Sequence, residues 1–410
     1  MELLLVTARW PLSDVHEFLN DEIHHLSDRF SRIIVAPLRP TGPQRGSLPK
    51  PVTVDRSLAD SLTRLPLGGR LHSRAAIAGA RAWLPNPVGG SWPRAFPQEP
   101  SRDAIRWYRA LLLSRADARS VGLWAASRKP PDLAYSFWLN MVPAALRAAW
   151  PNTPIVSRAH GGDVYSEAHG WQSIPFQERS LEACTLVAAV SQSGADYLRD
   201  KFPEYADRIR VRTLGIPDLG GLATASPGAE LRLLSASSID ANKRVDLIFD
   251  VVCALAQEGR NVAWTHIGTG PDAPALLARV GNAPPSLRVR LMGQIPPEQV
   301  RSEVLNGGYH AFINLSLSEG ASVALMEAQC VGLPVVATAV GGTPEVAPPA
   351  CNELVPASEP APGVASAVLR AAQRPELQRR TRRQHWEDHY NERTTYARWS
   401  AELVSLAVRR

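Results

Sequence analysis

Short apolar runs alternate with stretches of helical period along this chain, outside a stretch at 40–100 that is rich in Pro, Gly and Arg and takes no assignment, and with a break near the middle. Residues 2–7, 31–37, 133–137, 153–157 and 185–190 read as buried strands. Between the first two, residues 14–30 carry Val15, Phe18, Leu19, Ile23, Leu26 and Phe30 at helical spacing, and 105–124 and 194–201 read as further helices. Strands separated by helices imply a parallel sheet covered by helices. A segment rich in Gly, Pro, Ala and Ser then interrupts the pattern, and a linker is placed at 217–229. The rhythm restarts with strands at 231–236, 262–268, 287–292, 311–315 and 334–338 and helices at 246–258 and 323–330. From about residue 376 the chain reads as helical, with Trp386, Tyr390, Tyr396, Trp399 and Leu403 on it. The expected architecture is α/β, with two Rossmann-like doubly wound domains facing across a cleft, at 1–216 and 230–375, and a helical segment at 376–410. Ligands should sit at the carboxyl ends of the strands.

Composition narrows the possibilities. Of 410 residues, 45% are hydrophobic and 20% charged, which excludes disorder, collagen and coiled coil as the main character. No apolar run approaches the ~20 residues of a membrane helix, and the opening 1–7 reads as a strand. Four dispersed cysteines form no CxxC pair, so neither a disulfide framework nor a zinc ribbon is expected and a reducing cytoplasm fits. Residues 1–218 hold 27 basic and 21 acidic side chains, while 219–410 hold 18 of each. The stretch 39–128 has 15 basic against 5 acidic residues, with Trp83, Trp92 and Trp107 among its arginines. Such a stretch suits an anionic partner or reflects an arginine-rich coding bias. None of the standard nucleic-acid-binding motifs is present, and nucleic acid is not an expected partner.

Four segments carry candidate chemistry. The run Ser318-Glu319-Gly320-Ala321-Ser322 leads from an apolar strand into a helix that contains Glu327. Amides at a helix N-terminus, with the helix dipole behind them, form an anion site suited to a diphosphate, and a neighbouring carboxylate can accept hydrogen bonds from sugar or ribose hydroxyls. The same residues also read as an ordinary capped helix with two solvated glutamates. Gly341-Gly342-Thr343-Pro344-Glu345 is a strand-to-helix turn that lets backbone approach a ligand, or a plain connection. Lys243 and Arg244 follow a strand and could neutralise phosphate, or belong to a solvated helix start. His160-Gly161-Gly162 closes a strand of the first half, and its histidine is equally a structural or a catalytic group. His16, Asn20 and His24 share a helical face without a zinc motif. Gly268-Thr269-Gly270 is not a complete dinucleotide fingerprint. There is no P-loop, and no DxD triplet of the kind that holds a metal with a nucleotide sugar.

Together these segments resemble the retaining GT-B glycosyltransferases of family 4. The matches are Glu319 and Glu327 at E-x7-E spacing, Gly332-Leu333-Pro334, Gly341-Gly342 with Glu345, the Lys243 segment, Val289 to Gly293, and His160-Gly161. The start, 11–23, is similar to members used in bacterial exopolysaccharide assembly. The resemblance implies retaining transfer of a sugar from a nucleotide diphosphate sugar, UDP- or GDP-linked, to a glycan or lipid-linked acceptor, with neither cofactor nor metal. It gives His160, Lys243 and Glu319 to catalysis: Lys243 on the departing β-phosphate, Glu319 on donor-sugar hydroxyls, His160 lining the donor-sugar and acceptor pocket. Gly320, Ala321 and Ser322 would bind diphosphate through their amides, Glu327 the ribose, and backbone near Gly293 the base. Arg244 would supply the cation that the family often places where Ser238 stands here. The C-terminal helix would cross back to the first domain. A cytoplasmic enzyme with peripheral contact to anionic membrane is the expected setting. A natural-product glycosyltransferase, a GT-B epimerase or phosphorylase, and a silent nucleotide-sugar binder are the alternatives.

Overall fold

Both rhythmic halves build parallel sheets in the computed structural model, which describes residues 1–12, 18–39, 42, 47–63, 102–171, 173–374 and 377–408. Asp14, Val15, His16, Trp83 and Trp92 lie outside the described residues, as does most of the basic stretch up to residue 101.

The first sheet has the order β3-β2-β1-β4-β5-β6-β7, formed by β1 (Glu2–Thr7), β2 (Arg32–Pro37), β3 (Val52–Val54), β4 (Leu133–Ser136), β5 (Ile155–Ala159), β6 (Leu186–Ala189) and β7 (Ile209–Val211). β1 is central and apolar on both faces, with Leu3, Leu4, Leu5 and Val6 all buried, as a strand covered by helices on either side must be. The register runs Leu3 to Ile33 on one flank and Leu3 to Leu133 on the other. The helix Phe18–Ser27 buries Leu19, Ile23 and Leu26, spaced to share one face.

The second sheet has the order β10-β9-β8-β11-β12-β13 and is parallel throughout. Its strands are β8 (Leu231–Ala236), β9 (Val262–Ile267), β10 (Leu287–Leu291), β11 (Ala311–Asn314), β12 (Val335–Thr338) and β13 (Glu353–Val355). The helix Val245–Gln257 turns Ile248, Phe249, Val252 and Leu255 inward, and Ala361–Ala372 adds Val364 and Val368; these pack with Trp264 and Ile313 in one core. Each such side chain contributes about 1.5–3 kcal/mol on burial. Strand order reverses between β8 and β11, so connections leave their carboxyl ends in opposite directions and open a crevice there.

Two compact units result. Met1–Ala189, Asp196–Arg210 and Ser400–Arg410 form one, and Val190–Ala195 with Val211–Trp399 the other. The division falls at Arg210–Val211, ahead of the segment read as a linker. That segment is fastened along the second unit: the Ala223 N–H donates to the Val331 carbonyl at 2.8 Å and the Ser226 N–H to the Gly308 carbonyl at 3.0 Å. The helical end comprises Leu377–Tyr390 and Glu392–Val408, with Trp386, Tyr390, Tyr396, Trp399 and Leu403 buried. Among the described residues no helix is long and apolar enough to cross a membrane.

Each sheet encloses a polar group. In the first unit Arg158 and Glu22 are both fully buried, 3.1 Å apart; the Tyr135 hydroxyl donates to Glu22 Oε1 at 2.9 Å and accepts from Arg158 Nε at 2.7 Å. Burial pushes the Tyr135 phenol well above its usual value. Replacing Arg158 by Leu leaves the Glu22 carboxylate in the core without this cation, so we expect Arg158→Leu to lower the unfolding free energy of this unit by about 3–5 kcal/mol in urea titrations. A change below about 1 kcal/mol would contradict a buried ion pair.

In the second unit His266 is fully buried and its Nδ1 lies 2.8 Å from the Ser235 hydroxyl. That hydroxyl also accepts the Trp264 indole N–H at 2.9 Å. Burial lowers the imidazole from its usual 6.5 to about 4. The unfolded chain therefore takes up this proton first. Stability from His266 is full above pH 6.5 and is lost as pH falls toward 4, at up to about 1.4 kcal/mol per pH unit. His266→Gln should flatten the pH dependence of the unfolding free energy in that window; parallel curves for the two proteins would contradict the burial.

Candidate functional site

The loop after β8 is shaped by Asp240. Its Oδ1 accepts the N–H groups of Asn242 and Lys243, each at 3.0 Å, and its Oδ2 accepts the Ser238 hydroxyl at 2.6 Å. This is a side-chain-closed turn of the kind that aspartate favours. Arg244 then adopts a left-handed φ of 49° before the helix begins. Asn242 laces this loop to the one after β11: its carbonyl accepts the Leu317 N–H at 2.8 Å and its amide donates to the Ser318 carbonyl at 3.1 Å. The two connections that leave the reversal point of the sheet are thus held as one piece.

Glu319 and Lys243 meet across this lacing. Lys243 Nζ donates to Glu319 Oε1 at 2.7 Å, and Asn314 Nδ2 donates to the same oxygen at 3.2 Å. The Ser316 hydroxyl lies 2.7 Å from that oxygen and 2.8 Å from Asn314 Oδ1, so its single proton serves one at a time. The Lys243 side chain is 23% exposed and that of Glu319 8%. A pair open on its lysine side contributes on the order of 1 kcal/mol to stability; its main effect is to fix an ammonium in place. Thr338, at the end of β12, donates to the Ser316 carbonyl and braces the loop from behind.

Next to this pair begins the helix Val323–Cys330, with Ser322 extended at its N-cap (φ −73°, ψ 115°). First-turn amides have no acceptor inside their own helix, and the aligned peptide dipoles place about half a positive charge there. Gly320, Ala321 and Ser322 lead into that terminus, beside the lysine ammonium. Further along the same helix Glu327 is only 6% exposed, and Arg301 from the helix Pro297–Asn306 stands 3.6 Å from it. Gly293 turns left-handed at φ 65° after β10, with open space where a Cβ would be, and its carbonyl accepts the Gly268 N–H at 2.8 Å.

The sequence expectations divide accordingly. Lys243, Glu319, Gly320, Ala321, Ser322, Glu327 and Gly293 all belong to the carboxyl edge of the second sheet. Arg244 does not join the lysine as a second cation. Its Nε donates to the Leu315 carbonyl at 2.6 Å and its Nη1 to the Ala357 carbonyl at 2.7 Å, because the left-handed backbone turns the side chain back across the sheet edge. His160 belongs to the first unit, at the end of β5. Its N–H is bound by Asp163, and its ring lies 4.4 Å from that of Trp138 and 4.9 Å from that of Phe137. Glu345 caps another helix, Gln192–Lys201, accepting the N–H groups of Gln192 at 2.6 Å and Ser193 at 2.8 Å. Sequence reasoning missed Asp240, Asn314, Ser316 and Arg301, which hold the other side chains in position; a polar Asn at the end of an apolar strand was the one visible signal. A cavity of about 580 Å³ opens at the amino edge of the first sheet, but the Arg128 in its lining is already paired with Asp55 at 3.0 Å.

Packing behind the 319–322 turn is close enough to test. A Cβ on Gly342 would lie 1.9 Å from the Gly320 carbonyl oxygen and 2.8 Å from the Ser191 Cβ, whereas one on Gly162 would meet nothing within 4 Å. We expect Gly342→Ala to destabilise by about 1–3 kcal/mol through overpacking and Gly162→Ala to leave the urea midpoint nearly unchanged. Equal midpoints would contradict the packed turn.

Known proteins resemble this chain in sequence and in fold. The family model "Glycosyl transferases group 1" matches residues 230–374, and "Glycosyltransferase Family 4" matches 70–218. The chain is 31% identical over 118 residues, 29% of its length and 25% of the relative's, to the gpi3 subunit of phosphatidylinositol N-acetylglucosaminyltransferase from Schizosaccharomyces pombe. It is 29% identical over 147 residues, 34% of its length and 36% of the relative's, to the amylovoran biosynthesis glycosyltransferase AmsK of Erwinia amylovora. It thus spans about a quarter to a third of these curated relatives. The crystal structure of HepE from Anabaena in complex with UDP-glucose superposes with a TM-score of 0.59 at 17% identity, covering 99% of both chains. Two parallel α/β domains of the GT-B fold, with both halves matched by the family's models, place this chain in the family 4, or group 1, glycosyltransferases.

Proposed function

We propose that this chain transfers a sugar, with retention and without a metal ion, from a nucleoside diphosphate sugar to a glycan or lipid-linked acceptor in glycoconjugate or polysaccharide synthesis. The observation that carries this reading is the Lys243 ammonium, held 2.7 Å from Glu319 beside the amides that open the helix Val323–Cys330. HepE, which shares the fold, is described with UDP-glucose bound, and the relatives named above belong to phosphatidylinositol N-acetylglucosaminyltransferase and to amylovoran biosynthesis.

The chemistry follows from where charge develops. When the bond between the sugar C1 and the phosphate oxygen breaks, its electron pair stays on the diphosphate and the sugar gains oxocarbenium character. Amides at 320–322 and the Lys243 ammonium stabilise the diphosphate without having to reorganise. Glu319, already fixed by three donors, receives hydroxyls of the donor sugar, and Glu327 those of the ribose. Backbone near Gly293 faces the base. The acceptor oxygen bonds C1 on the face that the phosphate leaves and gives its proton to that phosphate, which preserves the anomeric configuration. Lys243 and the amides supply the positive charge that a divalent metal would otherwise bring. A lipid-linked acceptor brings the basic stretch 39–128 into play, since each well-placed cation adds about 1 kcal/mol at an anionic bilayer.

Lys243→Ala and Glu319→Ala should each lower turnover by about two to three orders of magnitude, with the fold preserved by thermal melting. EDTA should leave turnover intact, and an α-linked donor should yield an α-linked product. Wild-type rates in both variants would refute the site; a β-linked product would refute retention, and strong EDTA inhibition would refute the metal-free mechanism.

A further inference from the structure

Glu327 lies in the middle of the helix Val323–Cys330 and is 6% exposed. A carboxylate this deeply placed needs compensating charge to hold its position. That charge comes from a neighbouring helix: Arg301 Nε stands 3.6 Å from Glu327 Oε1, in ion-pair range and beyond hydrogen-bonding distance. The helix bearing Arg301, Pro297–Asn306, follows shortly after the left-handed turn at Gly293. It therefore ties the proposed base-side turn to the proposed ribose carboxylate. The Arg301 side chain is 25% exposed, so its rigid guanidinium borders solvent while pairing inward.

We propose that Arg301 is a positioning residue for ribose recognition. By pinning the Glu327 carboxylate it fixes the acceptor for the ribose hydroxyls, and it thereby makes the chain select ribonucleotides over 2′-deoxyribonucleotides. This inference rests on the nucleotide-sugar reading above.

Calorimetric titration of the full chain with UDP and with 2′-deoxy-UDP tests it. The wild type should prefer UDP by about tenfold, the worth of one hydrogen bond to a charged group. In Arg301→Ala the preference should fall within about twofold, through weaker binding of UDP and not of 2′-deoxy-UDP, and Arg301→Lys should restore part of it. A retained preference in Arg301→Ala would overturn the inference. So would equal weakening of both nucleotides, which would place Arg301 on the diphosphate or in a purely structural role. If Arg301→Ala does not fold, Arg301→Gln and Arg301→Lys carry the same comparison. A wild type that binds UDP without discriminating would overturn this inference alone. A wild type that binds none of UDP, GDP and ADP would overturn the nucleotide-sugar reading, and this inference with it.

Discussion

The second unit is organised around one contact, the Lys243 ammonium on the Glu319 carboxylate. It sits where the strand order of the parallel sheet reverses, so the loops that carry the two side chains would otherwise run apart. Asp240 shapes one loop, Asn314 and Ser316 hold the carboxylate on the other, and Asn242 stitches the two together. The adjoining helix terminus adds its amides to the same place. The result is a fixed ammonium and a helix terminus with a carboxylate set beside them, which suits a ligand with a diphosphate at one end and hydroxyls at the other.

Much of this was legible in the sequence, for physical reasons. The strand Leu231–Ala236 and the helix Val323–Cys330 fall where periodicity placed them, because a continuous apolar run bounded by polar turns admits few other readings. Lys243 and Glu319 were visible because charged residues at the ends of buried strands have few structural uses. The edge strands Val52–Val54, Ile209–Val211 and Glu353–Val355 escaped notice, since three residues carry no readable period and edges need less apolar content. Pattern also misjudged Arg244. Its neighbour Lys243 suggested a pair of phosphate ligands, but a left-handed backbone at position 244 sends the guanidinium to the carbonyls of Leu315 and Ala357. No spacing rule shows the φ of an arginine. Arg301 was equally hidden, because its link to Glu327 joins two helices that are distant in sequence.

The positioning residues share a chemical logic. Asn314, Ser316 and Asp240 are short polar side chains that bind nearby backbone or a neighbouring carboxylate, so little conformational freedom is left to lose when a ligand arrives. Lys243 is the long and mobile member, and its partner restrains it in advance. A site built this way holds its charged groups in place before a ligand arrives.

A crystal structure of the chain with a bound nucleoside diphosphate puts the central claim to its most direct test. The account predicts β-phosphate oxygens within hydrogen-bonding distance of the Lys243 ammonium and of the amides at 321–322. A diphosphate bound elsewhere, with Lys243 still turned only to Glu319, would contradict it.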